Sequence, residues 1–388
     1  VVELSLDDMS RDPYPMWARL RAEAPVAYSP SLERYLVTRY ADIVELEKTP
    51  EVFSSREEDS LLTRVVGHNM LREDNAPHHR IRSAAEPPTR PRQVRDIWST
   101  AFATNCGRVL EDLAPRGRGD LIADFISPLV ELNLAAVLGI GGVPRGTMTQ
   151  WSAHMMAGNG NYADDQEIWA RAKAATAEID EYVRLAVDRV QGSADDSIIS
   201  AMVHADDPLP LDEVQNNVKV IIGGGINEPL HVFGTGAWQA LTDPALRARL
   251  VDDPALWRKV FEESARWISP IGLYPRQVLS EYEVAGIRLP AGSRVALVIG
   301  SGNRDSAVIQ NADVFDIDRE PVAHLAFGGG PHFCMGAWVA RHQIGALAWP
   351  AVFDRLRGLR LVEGFEPEIS GWVFRGLKSL PVEWEAVG

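Results

Sequence analysis

Cysteine is nearly missing from this chain, with only Cys106 and Cys334 in 388 residues. Two thiols make at most one bridge, which excludes a fold built on disulfides and suits a reducing compartment. Long apolar runs are missing as well. No uninterrupted hydrophobic stretch approaches the roughly 20 residues needed to cross a bilayer. The opening Val1-Val-Glu-Leu-Ser-Leu-Asp-Asp lacks the basic start and apolar core of a secretion signal. Basic charge is scarce: 39 Lys and Arg against 54 Asp and Glu leave a formal net charge of −15. That balance excludes a general nucleic-acid binder, because phosphate affinity needs a basic surface. Nothing separates the chain into halves, since Gly/Ser tracts, Pro-rich linkers and low-complexity blocks are absent. The expectation is one domain over residues 1–388, cytoplasmic and without a membrane.

Helical patterning dominates what is present. Tyr14-Pro-Met-Trp-Ala-Arg-Leu-Arg-Ala-Glu-Ala spaces its apolar residues for a helix that Pro25 ends. Val26-Ala-Tyr-Ser and Arg34-Tyr-Leu-Val-Thr read as two short strands around a Ser-Pro turn. Ala41-Asp-Ile-Val-Glu-Leu-Glu returns to helix, and longer helices are expected over 92–113, 121–138, 166–191, 211–241, 255–267 and 335–352. Two short strands should flank Gly286, Arg294-Val-Ala-Leu-Val should follow as another, and a terminal hairpin should run across Trp372 to Trp384. Segments 55–72 and 156–167 read as loops over a pocket.

The most informative stretch is Phe327-Gly-Gly-Gly-Pro-His-Phe-Cys334-Met-Gly336. Its glycines let the backbone turn tightly and approach a flat ligand, Pro331 stiffens the turn, and Ala337-Trp-Val-Ala-Arg341 reads as a helix start. A thiolate here gains from amide donors and the positive helix end. The arrangement suits the single axial sulfur ligand of a haem iron; a reduced core cysteine after a Gly-rich turn is the plain alternative. Cys106 sits in an apparently helical segment and reads as a packing residue.

This stretch resembles the cytochrome P450 signature Phe-x-x-Gly-x-x-x-Cys-x-Gly, matched at Phe327, Gly330, Cys334 and Gly336, with the frequent extra histidine at His332. The likeness runs from the Asp12-Pro-Tyr-Pro segment to the C-terminal turn. It implies a mainly α fold, the cytochrome P450 fold with small peripheral β-sheets, of the soluble bacterial type. It also implies haem (heme b, iron protoporphyrin IX) with Cys334 on the iron. Glu263 and Arg266 match the family's Glu-x-x-Arg pair, which joins a downstream arginine, here Arg319, to brace the cysteine side of the haem. Four residues match propionate binders: His78 and Arg82 in Asp74-Asn-Ala-Pro-His-His-Arg-Ile-Arg82, where Asn75 replaces the usual proline, then Arg276 and His324. Asn303-Arg304-Asp305 resembles a scaffolding segment, with Gly302 in place of alanine.

The pattern departs in the central helix. Val220-Ile-Ile-Gly-Gly-Gly-Ile-Asn-Glu-Pro-Leu stands where common P450s carry an acid–alcohol pair, so Asn227 falls at the acid and Glu228 at the threonine. Gly224 and Gly225 leave room for oxygen and substrate against the backbone, and Pro229 removes a helical donor and favours a kink. Glu228 is expected to relay protons during oxygen activation, with Asn227 orienting the network; a buried ion pair between Glu228 and a pocket histidine or arginine is the alternative. Gly-Gly-x-Asn-Glu-Pro resembles a bacterial subset that includes reductase-fused and thiocarbamate-oxidising P450s and guaiacol-type aryl ether O-demethylases. The ending Gly371-Trp-Val-Phe-Arg-Gly-Leu-Lys-Ser-Leu-Pro-Val-Glu-Trp resembles that subset too.

The resemblance implies a monooxygenase that takes dioxygen and electrons from NAD(P)H through a reductase and a ferredoxin-like carrier. Val65, Val66, Met155, Met156, Ile221, Ile271, Leu273, Trp372 and Phe374 are expected to line the pocket; each also suits an ordinary core. A small methoxylated aromatic undergoing O-demethylation is the expected substrate. N-dealkylation or hydroxylation of another apolar compound, peroxide-driven oxidation, and a non-catalytic haem sensor are the alternatives. Arg108, Arg116, Arg118 and Arg341 are candidates for a local positive patch that meets the carrier.

Overall fold

The structure, a computed structural model, describes residues 1–161 and 163–386. Helices carry most of the chain and the sheets are small. The chain divides into two compact units that share it discontinuously: Val1–Glu58, His231–Cys334 and Leu361–Pro381 form one, and Asp59–Leu230, Met335–Arg360 and the residues from Val382 onward form the other. The division falls inside one continuous helix, Leu211–Thr242, between Leu230 and His231.

The first unit is built on a five-stranded sheet. Val26–Ser29 pairs antiparallel with Arg34–Val37, which runs parallel to Arg294–Leu297; Tyr274–Val278 and Phe53–Ser54 complete the order. Side chains alternate across a strand, so Val295 and Leu297 join Val37, Ile43, Leu46 and Phe53 on one face. Ala296 and Val298 join Trp17, Leu20 and Leu36 on the other. Both faces are therefore covered. Tyr282–Val284 and Ile287–Leu289 form a hairpin whose corner, Ala285 and Gly286, takes positive φ at both residues, the geometry of a two-residue turn.

Helix Trp257–Ile268 presents Glu263 and Arg266 one turn apart, and both are buried. Arg266 meets Glu263 through Nη2 at 2.7 Å and Nε at 2.8 Å, and Arg319 Nε reaches the same carboxylate at 3.0 Å. The remaining Arg266 donors go to the Asn303, Ala312 and Val314 carbonyls. The helix ends at Ser269 in the left-handed region, just before Pro270, where proline's ring disfavours further helix.

The second unit is helical. Asp165 caps Gln166–Gly192 by accepting from the Glu167 and Ile168 N–H groups, and helix Thr147–Asn159 packs along it. By length and composition Leu121–Leu138 could cross a membrane, but 67% of that window is buried in the unit, as a core helix would be.

Several elements differ from expectation. Segment 55–72 is not a bare loop: Ser60 and Asn69 are N-caps that start helix Leu61–Val66 and the turn Met70–Arg72. In 156–167 the preceding helix runs on to Asn159, and Tyr162 lies outside the described residues. The terminal hairpin pairs Ile369–Ser370 with Gly376–Leu377, earlier than Trp372 to Trp384. The helical stretch after Cys334 begins at Ala337 and widens to π turns over Arg341–Ala348. Leu211–Thr242 stays helical through Pro229.

The buried Glu263 cluster gives a stability test. Replacing Glu263 with Ala strands two guanidinium groups away from water, so denaturant unfolding should show a loss of about 3–5 kcal/mol. A loss below about 1 kcal/mol would show that the carboxylate is not holding the unit together.

Candidate functional site

Cys334 ends a loop whose shape is set by backbone. Gly328 and Gly330 adopt φ of +66° and +60°, and a side chain on Gly330 would sit 2.7 Å from the Glu47 carbonyl. Only glycine fits that combination of left-handed backbone and close approach. The Cys334 N–H donates to the Phe327 carbonyl at 2.8 Å, which closes the loop. Phe327 stacks on Phe261 with ring planes 10° apart. Asn303 ties the loop's entry down, accepting from the Leu325 N–H at 2.7 Å and donating to Ser269 Oγ at 2.8 Å. Cys334 and His332 remain partly accessible, neither cysteine is in a disulfide, and Gly336 caps the helix that follows.

A residue that sequence reasoning missed lies beneath this loop. Glu47, at the end of helix Tyr40–Glu47, is 5% exposed, and its carboxyl oxygens pack against Gly328 and Gly329. Burial pushes its carboxyl above the ordinary range, while Arg276 and the Gly329 N–H pull it back. Arg276, on strand Tyr274–Val278, is itself 6% exposed and donates to the Pro275 carbonyl. An amphipathic helix end in sequence gives no sign of this placement.

His324 precedes the loop and is tied to it. Its Nδ1 accepts from the Ala326 N–H at 3.2 Å and its Nε2 faces Glu262 at 3.0 Å. His324 thus joins the cysteine loop to helix Trp257–Ile268, two elements of the same unit.

The expected lining residues of this unit are held by backbone as well. Ile271 bridges to Phe374, and the Gly272 N–H donates to the Val373 carbonyl at 2.8 Å. Trp372 and Leu273 are partly buried and also touch the Trp17 cluster, with Trp372 tilted over Trp17 at 6.4 Å. His231 presses against Gly376, where an added Cβ would come 2.0 Å from its Nδ1. Burial pushes the imidazole down to about 4, against a hydrogen bond to the Leu377 backbone, so the ring is neutral near pH 7.

In the second unit the central helix carries the chemistry. Asn227 Nδ2 donates to Ser152 Oγ at 2.7 Å, and Ser152 Oγ donates to the Gly223 carbonyl at 3.2 Å. Glu228 keeps some accessible surface as a residue, yet its Oε2 is buried with no hydrogen-bond partner. Loss of water around the carboxyl raises its pKa to about 8. Around it, Met156 approaches Gly223, Leu134 approaches Gly225, Val65 lies against Gly158, and Gly224 is exposed with open space beside its α-carbon. Ile221 is partly exposed on the same helix. Met155 and Val66 are corrections, since at 0% and 1% exposure they are closed into the core while Met156 and Val65 carry the accessible surface. On helix Asn75–Ala85, His78 is 5% exposed, and Arg82 places Nε and Nη2 on Glu86. Arg116, from the expected basic patch, is paired with Asp124.

These residues suit a haem better than a bare ion. Among the described residues no three His, Cys, Asp or Glu side chains group to hold a metal ion, whereas one thiol on a rigid loop suffices when a macrocycle supplies the other donors. The buried Arg276 guanidinium suits an anionic ring substituent, and the open space beside Gly224 admits a flat or small ligand against the helix.

Comparison with known proteins agrees. A family model described as cytochrome P450 matches residues 250–348. The cytochrome P450 monooxygenase PikC of Streptomyces venezuelae is 29% identical over 394 residues, covering 97% of this chain and 92% of that protein. The steroid C26-monooxygenase of Mycobacterium bovis is 30% identical over 377 residues, covering 90% of this chain and 82% of that protein. The crystal structure of CalO2 superposes with a TM-score of 0.86 at 27% identity, over 99% of this chain and 98% of that one.

The contact between His231 and Gly376 can be tested by a double-mutant cycle. Gly376→Ala should lower the melting temperature by several degrees, and adding His231→Ala should recover most of the loss. Equal losses in the two backgrounds would show that the imidazole does not set the space at position 376.

Proposed function

The chain belongs to the cytochrome P450 family and is a monooxygenase of it, and on that premise we propose that it oxidises a C–H bond of a small apolar compound, with O-demethylation of a methoxylated aromatic as its reaction. The observation that carries the reading is Glu228: a buried carboxyl, unpartnered at Oε2, in a glycine-rich turn that has no alcohol. With a pKa near 8 it holds a proton at neutral pH and regains one readily, which suits a proton donor working near its own pKa.

Haem, bound through the Cys334 sulfur, supplies the reductive activation of dioxygen. The chain supplies the rest. Arg276, His332, His78 and Arg82 are proposed cofactor contacts, and Glu263, Arg266 and Arg319 keep the loop's supporting segment rigid. Phe327, Gly330 and Gly336 shape the backbone around the thiolate. Glu228 delivers protons, while Asn227 is held aside by Ser152. Met156, Val65 and Ile221 in the second unit, and Ile271 and Phe374 in the first, are proposed to favour an apolar ligand. One oxygen atom enters the methyl C–H bond and the other leaves as water. Two electrons from NAD(P)H, brought by a reductase and a ferredoxin-like carrier, and two protons balance the step. The resulting hemiacetal splits into a phenol and formaldehyde.

The Gly-Gly-x-Asn-Glu-Pro run favours the O-demethylase reading. The names of the relatives favour a second, hydroxylation of a larger apolar compound. A panel of methoxyarenes, alkanes and steroids, scored by low-to-high-spin shift and then by product, separates them: formaldehyde with a phenol supports the first, a retained alcohol the second.

Glu228→Gln should cut product formed per NAD(P)H by at least about tenfold, with peroxide released instead. The same substitution tests the raised pKa. An acid whose folded pKa exceeds its unfolded value stabilises most below the unfolded pKa and loses that contribution as pH rises through the folded one. The melting temperature of the wild type should therefore fall relative to Glu228→Gln as pH rises from about 5 to about 8, and level off above that. A difference that is constant across that range would mean the carboxyl titrates normally.

A further inference from the structure

The central helix of this chain is weak where it has to be exact in position. Gly223, Gly224 and Gly225 are consecutive, and each glycine costs about 1 kcal/mol of helix propensity relative to alanine. Pro229 has no N–H, so the Gly225 carbonyl, four residues earlier, loses its helical donor. Glu228 hangs from this turn. No side chain between Val220 and Leu230 carries a hydroxyl, but a hydroxyl reaches the turn from another helix.

We propose that Ser152 is a positioning residue for the reaction, its hydroxyl clamping the Gly223–Asn227 turn so that Glu228 is the side chain that presents a proton. The inference rests on the proton-delivery reading of Glu228 and names what holds that residue in place. Ser152 lies on helix Thr147–Asn159 and is 0% exposed. A serine hydroxyl has one proton to give and lone pairs to accept with, and both are used here. It donates to the Gly223 carbonyl at 3.2 Å and accepts from Asn227 Nδ2 at 2.7 Å.

The two partners are four residues apart, so one hydroxyl spans a full helical turn across the glycines. In a regular helix the Gly223 carbonyl already accepts the Asn227 N–H, and Ser152 adds a second bond to the same oxygen. Met156, one turn after Ser152 on the same helix, fills the space over Gly223, where an added Cβ would come 3.1 Å from its Cε. Serine and methionine together grip the turn from one side. Asn227 is thereby drawn toward Ser152, and Glu228, next along the helix, keeps Oε2 without a partner. Without the hydroxyl, the Asn227 amide is left with a buried donor to satisfy and turns elsewhere.

The test uses the haem-loaded enzyme with its reductant, comparing Ser152→Ala, Ser152→Thr and Asn227→Ala. Amide hydrogen exchange over residues 220–230 should speed up about tenfold or more in Ser152→Ala and Asn227→Ala, and Ser152→Thr, which keeps the hydroxyl, should restore protection. The share of NAD(P)H electrons released as hydrogen peroxide should rise severalfold in Ser152→Ala, yet not rise further when Ser152→Ala is added to Glu228→Gln. Wild-type exchange and peroxide share in Ser152→Ala would overturn the clamp. An equal rise in both Glu228 backgrounds would overturn its positioning role, since Ser152 would then act independently of Glu228. If Glu228→Gln alone leaves the peroxide share unchanged, the proton-delivery reading fails, whatever exchange shows for the clamp.

Discussion

One buried carboxylate, Glu263, organises the unit that carries Cys334. It is 4% exposed and shared between Arg266 and Arg319. Taking three charges out of water is expensive, and mutual attraction offsets it only when every donor is also satisfied. Here the guanidinium groups spend their remaining donors on the backbone carbonyls of Asn303, Gln310, Ala312 and Val314, and the Asp316 N–H donates to Glu263. The irregular chain between Asn303 and Arg319 is thus held by charge-assisted bonds in place of regular secondary structure. Asn303 then passes that rigidity to Leu325, at the entrance to the cysteine loop.

A second theme is position held by backbone contact. Gly330 fits against the Glu47 carbonyl and Gly272 against the Trp372 carbonyl, each closer than a Cβ would allow. In the central helix glycines serve a different end, since they clear space beside Gly224 at the expense of helical stiffness. Ser152 and Met156 restore support from one side of that turn. Close approach and local weakness are both consequences of lacking a Cβ, and the surrounding structure decides which matters.

Much of this was legible beforehand, and the misses share a cause. Spacing alone placed Glu263 and Arg266 on one face, the strands around Gly286, and the helix through Asn227 and Glu228. Residue type alone could not say that Met155 and Val66 would be closed in while Met156 and Val65 keep accessible surface. Nor could it name the partners of His324, which are Glu262 and the Ala326 N–H. Helix Leu61–Val66 was hidden because its signal is one serine cap on a short run, against a polar background. Glu47 and Ser152 carried no signal, being an acid at a helix end and a serine inside one.

The amino-acid sequence by itself determined the family, the glycine-rich loop that ends at the Cys334 thiol, and the departure from an acid–alcohol pair, because these depend on residue identity at fixed local spacing. Only the tertiary structure decided which polar groups are satisfied. Whether a histidine has a nitrogen to spare, whether a carboxyl is desolvated, and whether a serine on one helix clamps the turn of another all depend on partners distant along the chain, which burial makes obligatory and local pattern cannot name.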